Sequence, residues 1–76
     1  MSKVTQEKLL AGFIFGDNEN EEYIYLPSGE VGSEHPLCVL ERGEAREDVP
    51  LEEAARLVHR LALRECSHPL WGKRSY

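Results

Sequence analysis

The stretch "DVPLEEAARLVHRLALREC", residues 48–66, decides the fold that the sequence predicts. Pro50 precedes two acidic residues, Glu52 and Glu53, and this order is typical of the first turn of a helix. Apolar residues then recur at the i, i+3, i+4, i+7 spacing of a helix face that packs on a core: Leu51, Ala54, Ala55, Val58, Leu61 and Ala62. We predict a long helix that ends before His68 and Pro69, because proline disfavours helix at the residue before it.

Three strands are predicted ahead of this helix. They are "GFIFGD" (12–17), "EEYIYLP" (21–27) and Leu37–Arg42, each a short apolar run bounded by turn residues. A polar loop at 17–22 and a turn at 27–30 separate the predicted strands. The segment "GEARED" (43–48) is predicted to lead out of the sheet. A chain of 76 residues makes one domain with a thin core. The predicted fold class is therefore α+β, a small three-stranded antiparallel meander packed by one C-terminal α-helix.

The chain is expected to divide into three parts. Residues 1–12 are predicted as an N-terminal arm or a short helix, residues 13–66 as the single α+β domain, and residues 67–76 as a flexible C-terminal tail. No apolar run approaches the roughly 20 residues of a membrane span, and the first residues lack the apolar region of a secretory signal. A cytoplasmic location is therefore expected, and the two cysteines should be free thiols there.

Charge is divided unevenly along the chain, whose net charge is −5. Between Asp17 and Glu53 there are twelve acidic residues, among them Glu19, Glu21 and Glu22, against two arginines. The last 23 residues carry five basic residues and one acidic residue. The acidic middle repels phosphate, which disfavours direct nucleic-acid binding and favours a partner with a basic surface. The alternative is a solvated acidic face that keeps a small protein soluble.

The basic residues form a predicted second contact with the partner. Arg56, Arg60 and Arg64 follow an i, i+4, i+8 spacing, which places them on one ridge if the helix runs through residue 64. In the tail, Trp71, Lys73 and Arg74 give the aromatic and basic composition that is common in binding hot spots. The alternatives are a solvated helix face for the arginines and a core position for Trp71.

One alternative reading is a zinc site. "SEHPLC" (33–38) and "CSHPLW" (66–71) supply two nitrogen and two sulfur ligands, His35, Cys38, Cys66 and His68. Four such ligands are the number and type that a tetrahedral zinc centre needs, but the spacing between them along the chain is not one of the common zinc-binding patterns. Cys38 also lies in an apolar run, where a free cysteine is commonly a small buried hydrophobe. No cofactor is therefore predicted, with zinc kept as the alternative.

The prediction for function is a small non-catalytic regulatory protein. It binds a larger protein that handles nucleic acid, such as RNA polymerase or a nuclease, and modulates or inhibits it through the acidic surface and the basic and aromatic residues. No membrane partner is expected. A chain this short rarely closes a catalytic pocket, and no catalytic set of residues is found. The two alternatives are the zinc-binding module and a direct nucleic-acid binder that uses the arginine ridge.

Overall fold

The computed structural model describes residues 2–70, which form two helices and one antiparallel sheet. The strand order in the sheet is β4-β3-β2-β1-β5. The elements in chain order are helix α1 (Ser2–Leu10), strands β1 (Phe15–Asp17) and β2 (Glu22–Tyr25), a 3-10 turn (Ser28–Glu30), strands β3 (Leu37–Arg42) and β4 (Ala45–Pro50), helix α2 (Leu51–Arg60) and strand β5 (Arg64–Glu65).

The predicted α+β class with an antiparallel sheet is confirmed, but the prediction of three strands is wrong. The sheet has five strands. The segment predicted to lead out of it contains β4, which pairs with β3 along its whole length, and the segment predicted as the end of the long helix contains β5. Val49 is the one buried residue of β4, and the strand carries Arg46, Glu47 and Asp48. Charged side chains are typical of an edge strand that avoids pairing with other chains. They also remove the apolar pattern by which a strand is recognised.

The prediction that the long helix continues towards His68 is wrong, because α2 ends at Arg60. The N–H of Leu63 donates to the carbonyl of Val58 at 2.9 Å, and the N–H of Ala62 donates to that of His59 at 3.2 Å. Ala62 has a φ of 53°, in the left-handed region. These bonds form a Schellman C-cap. The chain then turns back to the sheet, where β5 pairs with β1.

The sheet has apolar side chains on both faces. Cys38 and Leu40 lie on the face that joins the helices in the main core, together with Ile24 and Val58. The alternate residues of the strands point to the other face, where a second cluster contains Ile14, Tyr23, Tyr25 and Val39, with Cys66 packed against it.

Residues 1–12 were predicted as an arm or a short helix, and the structure shows the helix, α1. Leu9 is fully buried in the main core, and the Thr5 side chain, also buried, lies 3.0 Å from the ring of His59 on α2 (Oγ1 to Nε2). Helix α1 therefore packs on α2. No helix within residues 2–70 has the length and apolar character needed to cross a membrane.

Candidate functional site: an acidic end of the sheet

Two turns meet side by side at one end of the sheet. The turn between β1 and β2 lies beside the turn between β3 and β4, because Glu22 is paired with Arg42 in the register of β2 and β3. The N–H of Gly43 donates to the carbonyl of Glu21 at 3.0 Å and ties the two turns together. We call the carboxylates of these two turns the acidic end: Asp17, Glu19, Glu21, Glu22 and Glu44. The structure thus brings together the three acidic residues that were predicted to bind a partner.

Some carboxylates of the acidic end hold the turns, and others face solvent. Asp17 accepts hydrogen bonds from the backbone N–H of Glu19 at 2.9 Å and from the Asn20 side chain at 2.7 Å. Glu22 pairs with Arg42, with 3.1 Å between Oε2 and Nε. The exposed carboxylates of Glu19, Glu21 and Glu44 make no ion pair within the described residues. These carboxylates are available to a partner.

A hydrogen-bond network lies under the acidic end. The Glu41 carboxylate accepts a hydrogen bond from the Tyr25 hydroxyl at 2.5 Å and lies 2.9 Å from Nε2 of His68. Arg46 donates to the Tyr25 hydroxyl at 3.1 Å. Burial alone raises the pKa of Glu41, but the hydrogen bonds from Tyr25 and His68 and the nearby Arg46 lower it, and the net pKa is below the ordinary value. Glu41 is therefore held as a carboxylate.

His68 joins the C-terminal segment to the sheet through this network. The residue is 4% exposed, and its ring lies tilted against that of Tyr23, with 5.2 Å between the ring centroids. The N–H of Leu70 donates to Nδ1 at 3.1 Å, so Nδ1 is the acceptor and Nε2 carries the hydrogen that Glu41 accepts. Sequence reasoning missed Glu41 and Tyr25 as a unit. The alternation in β2 put Tyr23 and Tyr25 on one face, but the position of Glu41 depends on the register of β3.

The structure does not bring the four candidate zinc ligands together. Cys38 is fully buried on the helix face of the sheet, whereas Cys66 packs on the opposite face. His35 is exposed and His68 is bound to Glu41. Burial raises the pKa of the Cys38 thiol to about 12, which keeps it protonated. Within residues 2–70, no group of three or more His, Cys, Asp or Glu is placed to hold a metal ion.

The predicted basic ridge is wrong in one of its three members. Arg56 and Arg60 are exposed on α2, but Arg64 lies on β5, opposite Gly16, because the helix ends before it. Arg56 is 3.1 Å from the Glu53 carboxylate, so part of its charge is balanced on the helix. The other predicted contact residues, Trp71, Lys73 and Arg74, lie outside the described residues.

Comparison with protein-family models, with curated proteins and with solved structures finds no match to this chain.

Proposed function

We propose that this protein is a small non-catalytic regulator that binds a larger nucleic-acid-handling protein, such as RNA polymerase or a nuclease. It modulates or inhibits that partner by covering a basic surface. The observation that carries the proposal is the acidic end, where two turns far apart in sequence present their carboxylates side by side. We place the protein in the cytoplasm with this partner.

Charge complementarity gives the physical reason for this choice of partner. A surface that holds a nucleic acid is rich in lysine and arginine, because it must neutralise phosphates. The carboxylates of the acidic end attract such a basic surface and steer the diffusional encounter of the two proteins. The strand pairing and the Gly43–Glu21 hydrogen bond hold the acidic end in place, so little conformational entropy is lost on binding. Arg56 and Arg60, with Trp71, Lys73 and Arg74, supply the proposed second contact.

A non-catalytic role is supported by the state of the reactive side chains. Both ring nitrogens of His68 are engaged, one by Glu41 and one by Leu70. Cys38 is buried and protonated, whereas a nucleophilic cysteine needs an accessible thiolate. The protein is therefore proposed to act by occupying a site.

Direct binding to purified core RNA polymerase and to a panel of nucleases, measured with the fluorescently labelled protein, tests the proposal. The triple variant Glu19→Gln, Glu21→Gln and Glu44→Gln removes three exposed carboxylates from the acidic end. We expect it to bind roughly 3- to 150-fold more weakly than the unaltered chain, since each of the three exposed charge pairs contributes roughly 0.2–1 kcal/mol.

The matched control has the same net charge. It carries Glu7→Gln, Glu34→Gln and Glu52→Gln, three exposed residues away from the acidic end. The control should bind like the unaltered chain. Equal loss in both triple variants, or no binding to any of these proteins, contradicts the proposal.

A further inference from the structure

An open groove of about 560 Å³ runs between the acidic end and the C-terminal segment. One wall is formed by the two turns, and the other by His68, Pro69 and Leu70. Tyr23 and Glu41 from the middle of the sheet complete the lining. The groove is therefore bounded on two sides by different parts of the chain and has a floor made by the sheet.

The carboxylate on the floor of the groove is already bound to neighbouring side chains. Both oxygens of Glu41 are engaged, one by Tyr25 and the other by His68. The Tyr23 hydroxyl donates to the Asn18 side chain at 2.5 Å. Leu70, in contrast, is 86% exposed, an unusually large apolar exposure on the wall of a groove. The interior of the groove thus combines the bound carboxylate of Glu41 with an exposed apolar side chain, Leu70, on one wall.

Two carboxylates stand on the rim of the groove. Glu21 and Glu44 are exposed, line the groove and make no ion pair with any described residue. Glu21 has a φ of 55°, and its carboxylate lies against Gly43, where a Cβ atom would be 4.0 Å from Oε2. The rim charge therefore comes from both turns of the acidic end.

We propose that the groove binds an arginine side chain from the basic surface of the partner. An arginine has an apolar stem, which packs on Leu70 and Pro69, and a planar charged head, which meets Glu21 and Glu44. A guanidinium group also suits two neighbouring carboxylates because its donors spread in a fixed fork. This inference rests on the proposed function, since it names the side chain of the basic partner that enters the acidic end.

Titration of the full-length chain with N-acetyl-arginine amide, followed by NMR, tests the inference. Saturable shifts are expected at the amides of Gly43 and Leu70 and at the ring of Tyr23. N-acetyl-citrulline amide has a similar shape without the charge and should cause no saturable shift. The double variant Glu21→Gln and Glu44→Gln should weaken arginine binding by roughly two- to fivefold for each lost carboxylate.

The matched control variant carries Glu34→Gln and Glu52→Gln, which line a different groove beside Pro36 and Pro50. It should bind arginine like the unaltered chain. Equal weakening in both double variants, or shifts that never saturate, overturns the inference because either result indicates general charge attraction.

A third outcome concerns the chain itself. If a chain that ends at Leu70 binds arginine and the full chain does not, residues 71–76 compete for the groove and the partner is not its occupant. That result also overturns the inference. The two proposals can fail separately. If arginine does not bind but the acidic-end triple variant still binds the partner more weakly than the control triple variant does, this inference alone is wrong. If the two triple variants bind the partner equally, the proposed function is wrong.

Discussion

Replacing Leu9 by alanine tests whether the first helix is part of the folded core. Leu9 is 0% exposed and packs in the main apolar cluster with residues from the sheet and from α2. Leucine-to-alanine changes at such sites cost about 2–5 kcal/mol, from lost burial and the cavity left behind. We expect a loss of about 3 kcal/mol, out of roughly 4–11 kcal/mol for a domain of this size. The midpoint of thermal unfolding should then fall by roughly 12–24 °C.

The neighbouring residue supplies a matched control for this prediction. Leu10 lies in the same helix but is 41% exposed, so Leu10→Ala makes the same chemical change with little loss of burial. Its cost should stay below about 1 kcal/mol. Urea unfolding followed by circular dichroism at 222 nm measures both variants. If Leu9→Ala unfolds at the same urea concentration as the unaltered chain or as Leu10→Ala, the packing of α1 described above is refuted.

Three further changes follow from the structure. Ala62→Gly should raise the free energy of unfolding by up to about 1 kcal/mol in urea denaturation, because alanine is strained at a φ of 53°; a destabilised variant would contradict the C-cap assignment. Because the folded-state pKa of Glu41 is lowered, its stabilising contribution is present above the ordinary glutamate value of about 4.3 and is lost as the pH falls through the folded-state pKa. Glu41→Gln should therefore flatten the acid limb of a stability-versus-pH curve, and an unchanged limb would refute this. Burial raises the pKa of Cys38 to about 12, so the unfolded chain loses this proton first and stability should fall by about 1 kcal/mol per pH unit above about pH 8.5. Cys38→Ala should reduce that slope between pH 8.5 and 10 in the same assay, and an equal slope in both proteins would count against it.

The sequence signals the end of helix α1 but not the end of helix α2. Both helices end in a Schellman motif, with Gly12 at a φ of 94° after α1 and Ala62 at a φ of 53° after α2. Glycine at this position marks the end of a helix in the sequence, because glycine adopts a positive φ without strain. Alanine is a helix former, and Leu61 and Ala62 continue the apolar spacing of the helix, so the sequence gives no signal for the end of α2. Tertiary contacts decide it, since Leu63 is buried in the main core.

The negative charge of the candidate site was predictable from the sequence, but the arrangement of its residues was not. The excess of acidic residues between Asp17 and Glu53 is visible in the sequence and predicts an acidic surface. The placement of Glu21 and Glu44 on the same groove depends on the register between β2 and β3 and on β4, a strand that its charged residues conceal in the sequence. The Glu41–His68 bond likewise joins residues 27 positions apart, which no local pattern indicates.

Competition with DNA is the most direct test of the central claim, that the acidic end covers a surface which otherwise holds nucleic acid. The labelled protein is bound to purified core RNA polymerase, or to the nuclease that binds it best, and duplex DNA is then added. We predict that DNA displaces the protein completely and that higher salt weakens the complex, because both ligands use the same basic surface. A stable ternary complex with DNA, or an affinity that does not change with salt, would contradict the account.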